Sequence, residues 1–257
     1  DQLPNLGREQ EMLEIMGLKS IDDLFSDIPE EIRSKGPLPL PGPQSEEEIV
    51  RDANKLLGTN VDLDCRPSFL SAGLARNFVP SMVPMIATRG EFLTSYTPYQ
   101  PEVSQGMLQA MWEFQTMISE LVELPISNVS MYDASTSAAE AITCAVRVKS
   151  KKVEKPNTVF VSELVPPHRM SVIQNYTQGV GIEIIKLPHG EDGLLDLEKA
   201  SSASGSCAVY VEQPNSFGIL DEGLMRLREI VGEKTAIIVG VDVTTLGLVE
   251  PPGNWAL

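Results

Sequence analysis

Residues 158–162 are Thr-Val-Phe-Val-Ser, and a similar short apolar run returns at residues 208–212, Ala-Val-Tyr-Val-Glu. Two more runs are typical of strands, Ile182–Leu187 and Ala236–Val241. Segments with helical character lie between them: His168–Thr177, Leu195–Ala200 and Glu222–Val231. Apolar strands that alternate with helices are typical of a mainly parallel sheet with helices on both faces. We therefore predict an α/β fold, in which ligands bind beyond the carboxyl ends of the strands.

The chain before residue 158 supplies further predicted elements. The apolar run Val129–Tyr132 predicts a first strand, which a polar turn at Asp133–Ser137 joins to an alanine-rich helix at Ala138–Lys149. The strongest helical periodicity runs from Gln105 to Leu124. We expect that helix to lie in the core, with one face marked by seven residues: Leu108, Met111, Trp112, Gln115, Ile118, Ser119 and Val122. A shorter helix is predicted near Met82–Ala87.

The N-terminal part has a different character. Three helical pieces are predicted there: Arg8–Met16, Ser20–Phe25, and a helix that the capping box of Ser45 opens and that ends near Leu57. The proline-rich segment Gly36–Pro43 cannot be helical, because proline lacks an amide donor. It is either an extended strap across another surface or a plain linker. We divide the chain into a helical, proline-rich region at residues 1–60 and a larger domain at residues 61–257.

The net charge of the chain argues against some classes of binding partner. Of 257 residues, 20 are Lys or Arg and 36 are Asp or Glu, so the formal charge at pH 7 is −16. A field of that sign repels phosphate backbones and anionic lipid, which argues against nucleic acid and membrane surfaces as partners. No run approaches the roughly 20 apolar residues of a membrane-spanning helix, and the first residues lack the order of a signal peptide. We expect a cytoplasmic protein.

Cysteine and histidine are few and scattered. Cys65, Cys144 and Cys207 are far apart and odd in number, so we expect buried free thiols and no disulfide framework. The two histidines, His168 and His189, have no cysteine or second histidine nearby, which leaves too few ligands for a zinc cage. We predict no metal site, and a nucleophile-histidine-carboxylate triad has little support.

Two segments at predicted strand ends carry groups suited to binding. Ser135 and Thr136 follow the first predicted strand at the start of a helix, where free amides and the helix dipole favour an anion such as phosphate. Asp242 follows the strand Ala236–Val241 and can bind a heterocycle nitrogen or a hydroxyl. Each also has a plainer explanation as a helix or turn cap. Neither a Walker lysine nor a GxGxxG spacing accompanies them, so an NTPase or dinucleotide site lacks support.

A third candidate segment precedes the long helix. Residues 96–102 are Tyr-Thr-Pro-Tyr-Gln-Pro-Glu, dense in hydrogen-bonding groups and stiffened by two prolines. Rigid polar loops of this kind often shape binding sites, although the composition alone is equally consistent with a structural turn. The candidate substrate or interface residues are Tyr96, Thr97, Tyr99, Gln100 and Glu102.

These residues also carry a family resemblance. The eleven residues from Tyr96 to Gly106, followed by Glu113–Met117 and Ser130–Asp133, closely resemble the glycine decarboxylase family, the P-protein of the glycine cleavage system. Segments near both ends also match that family: Ser20–Phe25 with Ile28-Pro29, and Leu248–Gly253. Within the family, the chain looks like subunit 1, the alpha subunit of the two-subunit form.

The resemblance implies a pyridoxal-phosphate enzyme of the aspartate-aminotransferase superfamily, of which this chain would form the large domain, incomplete, with an N-terminal helical arm. Such an enzyme decarboxylates glycine and passes the aminomethyl group to the lipoyl arm of H-protein. In the two-subunit form, the cofactor and its Schiff-base lysine are expected on subunit 2. That lysine follows the strand-end aspartate, matched here by Asp242, and no lysine occurs between Asp242 and Leu257. We therefore expect no catalytic residue on this chain and an active site completed by subunit 2.

Departures from the family pattern favour a vestigial cofactor pocket. Ala134 stands where glycine is usual, and the loop Ser68–Gly73 has serine where glycine is common. The histidine expected near the end of the second predicted strand falls at Pro166, with His168 displaced by two positions. Ser135, Thr136 and Asp242 remain the matching positions.

Family subunits continue well beyond the segment Pro251-Pro252-Gly253. We therefore expect a partial chain whose sheet has one uncovered edge, stabilised by self-association or by a partner. Two alternatives stay open beside the subunit hypothesis. One is a protein that binds pyridoxal phosphate noncovalently and acts alone, and the other is an assembly scaffold remote from the chemistry.

Overall fold

The computed structural model describes residues 5–61, 66–67, 77–93 and 96–255, and the chain divides into two compact units, residues 1–69 and residues 70–257. The first unit contains α1 (Glu9–Met16), a 3-10 turn at Ile21–Phe25 and α2 (Glu46–Leu57). These bounds confirm the three helical pieces that the sequence predicts.

Local chemistry explains where α2 begins and ends. The Ser45 hydroxyl accepts from the Glu48 amide at 3.3 Å, and the Glu48 carboxylate accepts from the Ser45 amide at 2.8 Å. This reciprocal pair forms the predicted capping box. The helix ends at Gly58. Residues 36–43 form neither helix nor strand, and their Leu38 and Leu40 side chains are exposed.

The second unit contains the sheet and most of the helices. Its strands are β1 (Lys155–Ser162), β2 (Glu183–Leu187), β3 (Ser206–Gln213) and β4 (Ala236–Val241). Its α-helices are α3 (Met82–Ala87), α4 (Gly90–Leu93), α5 (Gln105–Val122), α6 (Ala134–Lys149), α7 (Pro167–Gln178), α8 (Leu197–Ala200) and α9 (Leu227–Val231). Short 3-10 turns complete it at Pro101–Val103, Ser201–Ala203, Glu222–Arg226, Val243–Gly247 and Pro252–Asn254.

The four strands form one parallel sheet in the order β2-β1-β3-β4. Val159 of β1 lies opposite both Ile184 of β2 and Ala208 of β3, and Tyr210 of β3 lies opposite Ile238 of β4. All eight residues of β3 are buried, whereas those of β4 are only half-buried. Within the described residues, β4 has a paired neighbour on one side only. The predicted parallel α/β sheet is confirmed.

Alternate strand residues point to two separate cores, which places helices on both faces. On one face, Val159, Val161 and Ala208 pack with apolar residues of α6 and α7, among them Ile142 and Ile173. On the other, the intervening side chains of the same strands pack against α8, α9 and the C-terminal segment: Phe160, Val209, Val211, Ala200, Leu227, Val231 and Trp255. This alternation follows from the two-residue repeat of a β-strand.

Several expectations are wrong. Residues 129–132 are not a strand: Val129, Met131 and Tyr132 are exposed, and no strand pairs with them among the described residues. The predicted polar turn is instead the first turn of α6, because Asp133 caps that helix at Ala134.

No residue of α5 is buried, although its apolar spacing is typical of a core helix. Cys207 is buried as expected, but Cys144 is exposed, and Cys65 lies outside the described residues.

A close backbone approach fixes the C-terminal segment of the second unit. The Trp255 ring is buried, and its indole N–H donates to the Glu250 carbonyl at 3.1 Å. Gly253 lies against the end of α5, where a Cβ would collide with the backbone carbonyls of Val122 and Glu123. Only glycine fits this contact without moving the backbone.

Candidate functional site at the carboxyl ends of the strands

An open cleft of about 1180 Å³ lies at the carboxyl ends of β3 and β4, beside the N-terminal turns of α6 and α7. This is where a parallel α/β sheet places its ligands. Its polar lining includes Ser137, His168, Arg169, Tyr210, Glu212, Asn215, Ser216 and Asp242. Of the cofactor positions predicted from the sequence, Asp242 lines this cleft, and Ser135 and Thr136 lie at the start of α6 beside it.

A buried ion pair forms one wall of the cleft. Nη1 of Arg169, in the first turns of α7, lies 2.5 Å from Oε1 of Glu212 in β3, and the Tyr210 hydroxyl donates to the same oxygen at 2.9 Å. Burial raises the pKa of Tyr210 well above its ordinary value, and the neighbouring Glu212 adds to the effect. Burial opposes the charge of Arg169, but Glu212 outweighs it, so the pKa of Arg169 is raised.

Two further features define this cluster. Nε of Arg169 is buried and has no hydrogen-bond partner among the described residues. Gly240 of β4 faces the cluster, and a Cβ there would lie 2.7 Å from the Tyr210 hydroxyl and 3.1 Å from Cγ of Glu212. The sequence reasoning did not select Arg169, Tyr210 or Glu212. The available signal was Glu212 itself, an acidic residue at the end of an otherwise apolar strand.

The N-terminus of α6 already holds an anion of its own. The Asp133 carboxylate accepts from the Thr136 amide at 2.7 Å and from the Thr136 hydroxyl at 3.0 Å, and the Thr136 hydroxyl accepts from the Asp133 amide at 3.2 Å. The Thr136 amide and hydroxyl hold the pKa of Asp133 below its ordinary value. Ser135 is buried in the first turn of the helix. The contacts of Thr136 are therefore those of a helix cap.

Asp242 has a similar local role. Its carboxylate accepts from the Thr244 amide at 3.0 Å and from the Thr244 hydroxyl at 2.7 Å, and it caps the 3-10 turn that follows β4. The residue is exposed at the rim of the cleft. Pro166 and His168, the two positions compared with the family's histidine, also line the cleft at the start of α7. The departure at Ser68–Gly73 falls outside the described residues.

Most of the loop at residues 96–102 is exposed to solvent. Tyr96, Thr97, Tyr99, Gln100 and Glu102 are all exposed, and none of them lines the strand-end cleft. The loop is a series of tight turns: the Tyr99 amide donates to the Thr97 carbonyl at 2.8 Å, and residues 101–103 form a 3-10 turn that leads into α5. Of the site residues predicted from the sequence, Asp242 therefore lines the cleft, and the five loop residues do not.

Comparison with known proteins places the chain in a family. The family model described as glycine cleavage system P-protein matches residues 4–257. The chain belongs to the P-protein family. The crystal structure of glycine decarboxylase (P-protein) of the glycine cleavage system, in inhibitor-bound form, is 38% identical and superposes with a TM-score of 0.77. That alignment covers 100% of this chain and 56% of the solved one, and it supports the parallel fold described above.

Curated relatives in the P-protein family carry the name probable glycine dehydrogenase (decarboxylating) subunit 1. The Thermococcus kodakarensis protein is 44% identical over 254 residues, which cover 98% of this chain and 55% of the relative. The Pyrococcus abyssi protein is 45% identical, with coverages of 98% and 56%, and the Sulfurisphaera tokodaii protein is 41% identical, with coverages of 99% and 57%. The chain thus spans about half the length of the curated relatives it matches.

Two kinds of feature are absent from residues 5–61, 66–67, 77–93 and 96–255. No helix in those ranges combines the length and apolar character needed to cross a membrane. The same ranges contain no group of three or more His, Cys, Asp or Glu residues placed to hold a metal ion.

Proposed function

We propose that this P-protein chain acts in subunit 1 of a two-subunit glycine decarboxylase. That oxidoreductase decarboxylates glycine and passes the aminomethyl group to the lipoyl arm of H-protein. Family membership over residues 4–257 is the observation that carries this proposal, together with relatives named subunit 1. The partners of the assembled enzyme are subunit 2 and H-protein.

Pyridoxal phosphate, the cofactor that the resemblance implies, does not fit the strand-end cleft of this chain. Its phosphate would need the amides at the start of α6, where the Asp133 carboxylate already accepts from the Thr136 amide and hydroxyl. A second anion there would be repelled by that carboxylate. Its ring nitrogen would need Asp242, whose carboxylate is engaged with Thr244. These contacts support a vestigial pocket at Ser135, Thr136 and Asp242.

The Lys and Arg content of the cleft also supports the assignment of the cofactor to subunit 2. An imine with the cofactor requires a lysine amine, and no lysine is among the described residues that line the cleft. Arg169 is the one Lys or Arg among them, and its charge is matched by Glu212. We therefore assign the cofactor and its lysine to subunit 2, with none bound covalently to this chain.

The loop at residues 96–102 is the part of this chain that we assign to the shared active site or its entrance. Its hydroxyl, amide and carboxylate groups are exposed on a loop stiffened by Pro98 and Pro101. Tyr99 and Gln100 can donate and accept hydrogen bonds to a substrate or to subunit 2 without first reordering the loop. This chain thus supplies positioning groups and leaves the covalent chemistry to the partner.

Reconstitution tests the proposal. The chain is mixed with subunit 2, H-protein and pyridoxal phosphate, and glycine–bicarbonate exchange is measured. We expect exchange in the mixture, and at least a tenfold loss, about 1.4 kcal/mol, in Gln100→Ala and Tyr99→Phe. Tyr176→Phe, a change on α7, is the matched control and retains exchange. Unchanged exchange in both loop variants would remove the loop from the site.

An absorbance titration separates this proposal from the stand-alone alternative. Pyridoxal phosphate is added to the purified chain without subunit 2, and we expect neither saturable binding nor glycine turnover. Saturable binding that Asp242→Ala abolishes, accompanied by glycine consumption, would contradict the division of labour.

A further inference from the structure

A second concave surface lies on the same unit and shares no lining residue with the strand-end cleft. It is a groove of about 690 Å³ between the C-terminal half of α5 and residues 124–127. Trp112 and Ile126 line it and are 70% and 85% exposed, and Leu124 and Pro125 add apolar surface. Leu108, one helical turn before Trp112 on the same face, is also exposed. A large aromatic ring and neighbouring aliphatic side chains left in solvent around a groove are typical of an interaction site.

The groove is already shaped for a partner. The chain reverses at Glu123, which has a left-handed backbone with φ 54°, and the Leu124 amide donates to the Ser119 carbonyl at 3.2 Å. The Gln115 side-chain amide then donates to the Ser127 carbonyl at 2.7 Å and holds the returning segment beside the helix. Because these contacts fix both walls, a docking partner does not have to order them.

The charge of the residues around the groove indicates what kind of partner can bind there. From Tyr96 to Val146 the sequence contains no Lys, Arg or His, and it contains six acidic residues. Two of them, Glu120 and Glu123, line the groove and are exposed. A complementary segment therefore carries an apolar side chain for the groove and a lysine or arginine beside it. The residues that line the groove include no Lys, Arg or His, so a symmetric dimer that joined two grooves would place their acidic residues against each other.

We infer that this groove is the docking site for subunit 2, through an apolar anchor flanked by lysine or arginine. The inference rests on the proposed function, because it takes the partner from there. Trp112 is the central contact, since a tryptophan that becomes fully covered on binding commonly dominates the affinity of an interface. Glu120 and Glu123 add a salt-dependent attraction at the rim.

The two tryptophans of the chain make the test direct, because Trp112 is exposed and Trp255 is buried. The full chain is labelled with 5-fluorotryptophan and observed by fluorine NMR, with the two signals assigned through Trp112→Phe. Unlabelled subunit 2 is then added, and complex formation is followed in parallel by sedimentation. We expect the Trp112 signal to shift and lose its solvent exposure, while the Trp255 signal stays in place. A complex in which Trp112 does not respond would overturn the docking site alone, whereas no complex at all would overturn the proposed function with it.

Matched variants give a second readout by isothermal titration with subunit 2. Trp112→Ala is expected to weaken binding at least tenfold, and Val180→Ser, a change of an exposed apolar residue just after α7, is expected to leave it unchanged. Glu120→Lys is expected to weaken binding severalfold at low salt and less at high salt, while Glu233→Lys, an exposed acid elsewhere, does not. Affinity that is unchanged in both groove variants would contradict the inference.

Discussion

Arg169 and Glu212 join helix α7 to strand β3 through a 2.5 Å contact between Nη1 and Oε1, and both side chains are largely buried. The same Glu212 oxygen accepts the Tyr210 hydroxyl. One carboxylate therefore compensates the buried guanidinium and also receives a phenol, at the wall of the strand-end cleft. This arrangement compensates the buried charge of Arg169 within the wall of the cleft and holds α7 against β3.

Removing the carboxylate charge of Glu212 should destabilise the fold. Glu212→Gln keeps the size of the side chain but leaves the Arg169 guanidinium buried without a counter-charge, so we expect a loss of about 2–4 kcal/mol in the free energy of unfolding. Urea unfolding of the full chain measures this. The exposed acid Glu191 provides the control, because Glu191→Gln should change stability by less than about 0.5 kcal/mol. A loss below 1 kcal/mol in Glu212→Gln, measured against that control, would contradict the role of the pair.

Tyr210 should make stability fall in alkali. Its pKa is raised in the folded state above the ordinary value of 10.0. The unfolded chain therefore releases this proton at a lower pH than the folded chain, so the stabilising effect is complete below pH 10 and declines as the pH rises beyond it. Tyr210→Phe lacks the proton, and its urea midpoint should decline less than that of the wild type between about pH 9 and pH 11. Parallel declines in the two proteins would remove Tyr210 as the cause.

Gly240 should tolerate no side chain while Tyr210 keeps its hydroxyl. An added Cβ would lie 2.7 Å from that hydroxyl, so Gly240→Ala is expected to cost about 1–3 kcal/mol of stability. Tyr210→Phe removes the colliding atom. In that background the same glycine change should therefore cost less. Equal costs in the two backgrounds, measured as a double-mutant cycle by urea unfolding, would show that the collision is not the cause.

Gly253 provides a test of the C-terminal segment. A Cβ there meets backbone carbonyls of α5, which cannot rotate away as a side chain can. We expect Gly253→Ala to lower the thermal midpoint and expose the Trp255 ring, seen as a red shift of its fluorescence in a Trp112→Phe background. Gly247→Ala is the control, since nothing lies within 4 Å of a Cβ at that position. Equal effects of the two changes would argue against the close approach.

The sequence predicts the strand positions because they follow from the composition of each short segment. The runs at residues 158–162, 208–212 and 236–241 are apolar because helices cover both faces of the sheet, and their predicted positions agree with β1, β3 and β4. The run Val129–Tyr132 has similar composition but no neighbouring strand among the described residues, and pairing cannot be deduced from one segment. The same limit applies to α5, whose apolar spacing does not state what covers it.

The site was harder to predict because its charges pair between distant elements. Glu212 and Arg169 are 43 positions apart, and nothing in either local sequence identifies the other. The sequence predicts binding roles for Asp242 and Thr136 from their positions at the ends of predicted strands. Their side-chain hydrogen bonds, however, go to neighbours within three residues, so the side-chain contacts are those of caps. Binding roles for Ser135, Thr136, Asp242 and the loop at residues 96–102 stay predictions.

Asp133 should stabilise α6 in a pH-dependent way. The Thr136 amide and hydroxyl lower its pKa below the ordinary value of 3.8, so the folded state favours the charged form. Its contribution is therefore present above that ordinary value and is lost as the pH falls through the lower folded pKa. The thermal midpoint of Asp133→Ala should lie below that of the wild type at neutral pH, and the gap should narrow below about pH 4. Asp133→Asn keeps a capping acceptor without an acidic proton, so its gap at neutral pH should be smaller. The difference in thermal midpoint between Asp133→Ala and the wild type could instead stay constant from neutral to acid pH. In that case the carboxylate charge at this helix end contributes nothing to stability. The electrostatic argument against phosphate at this terminus would then lose its support.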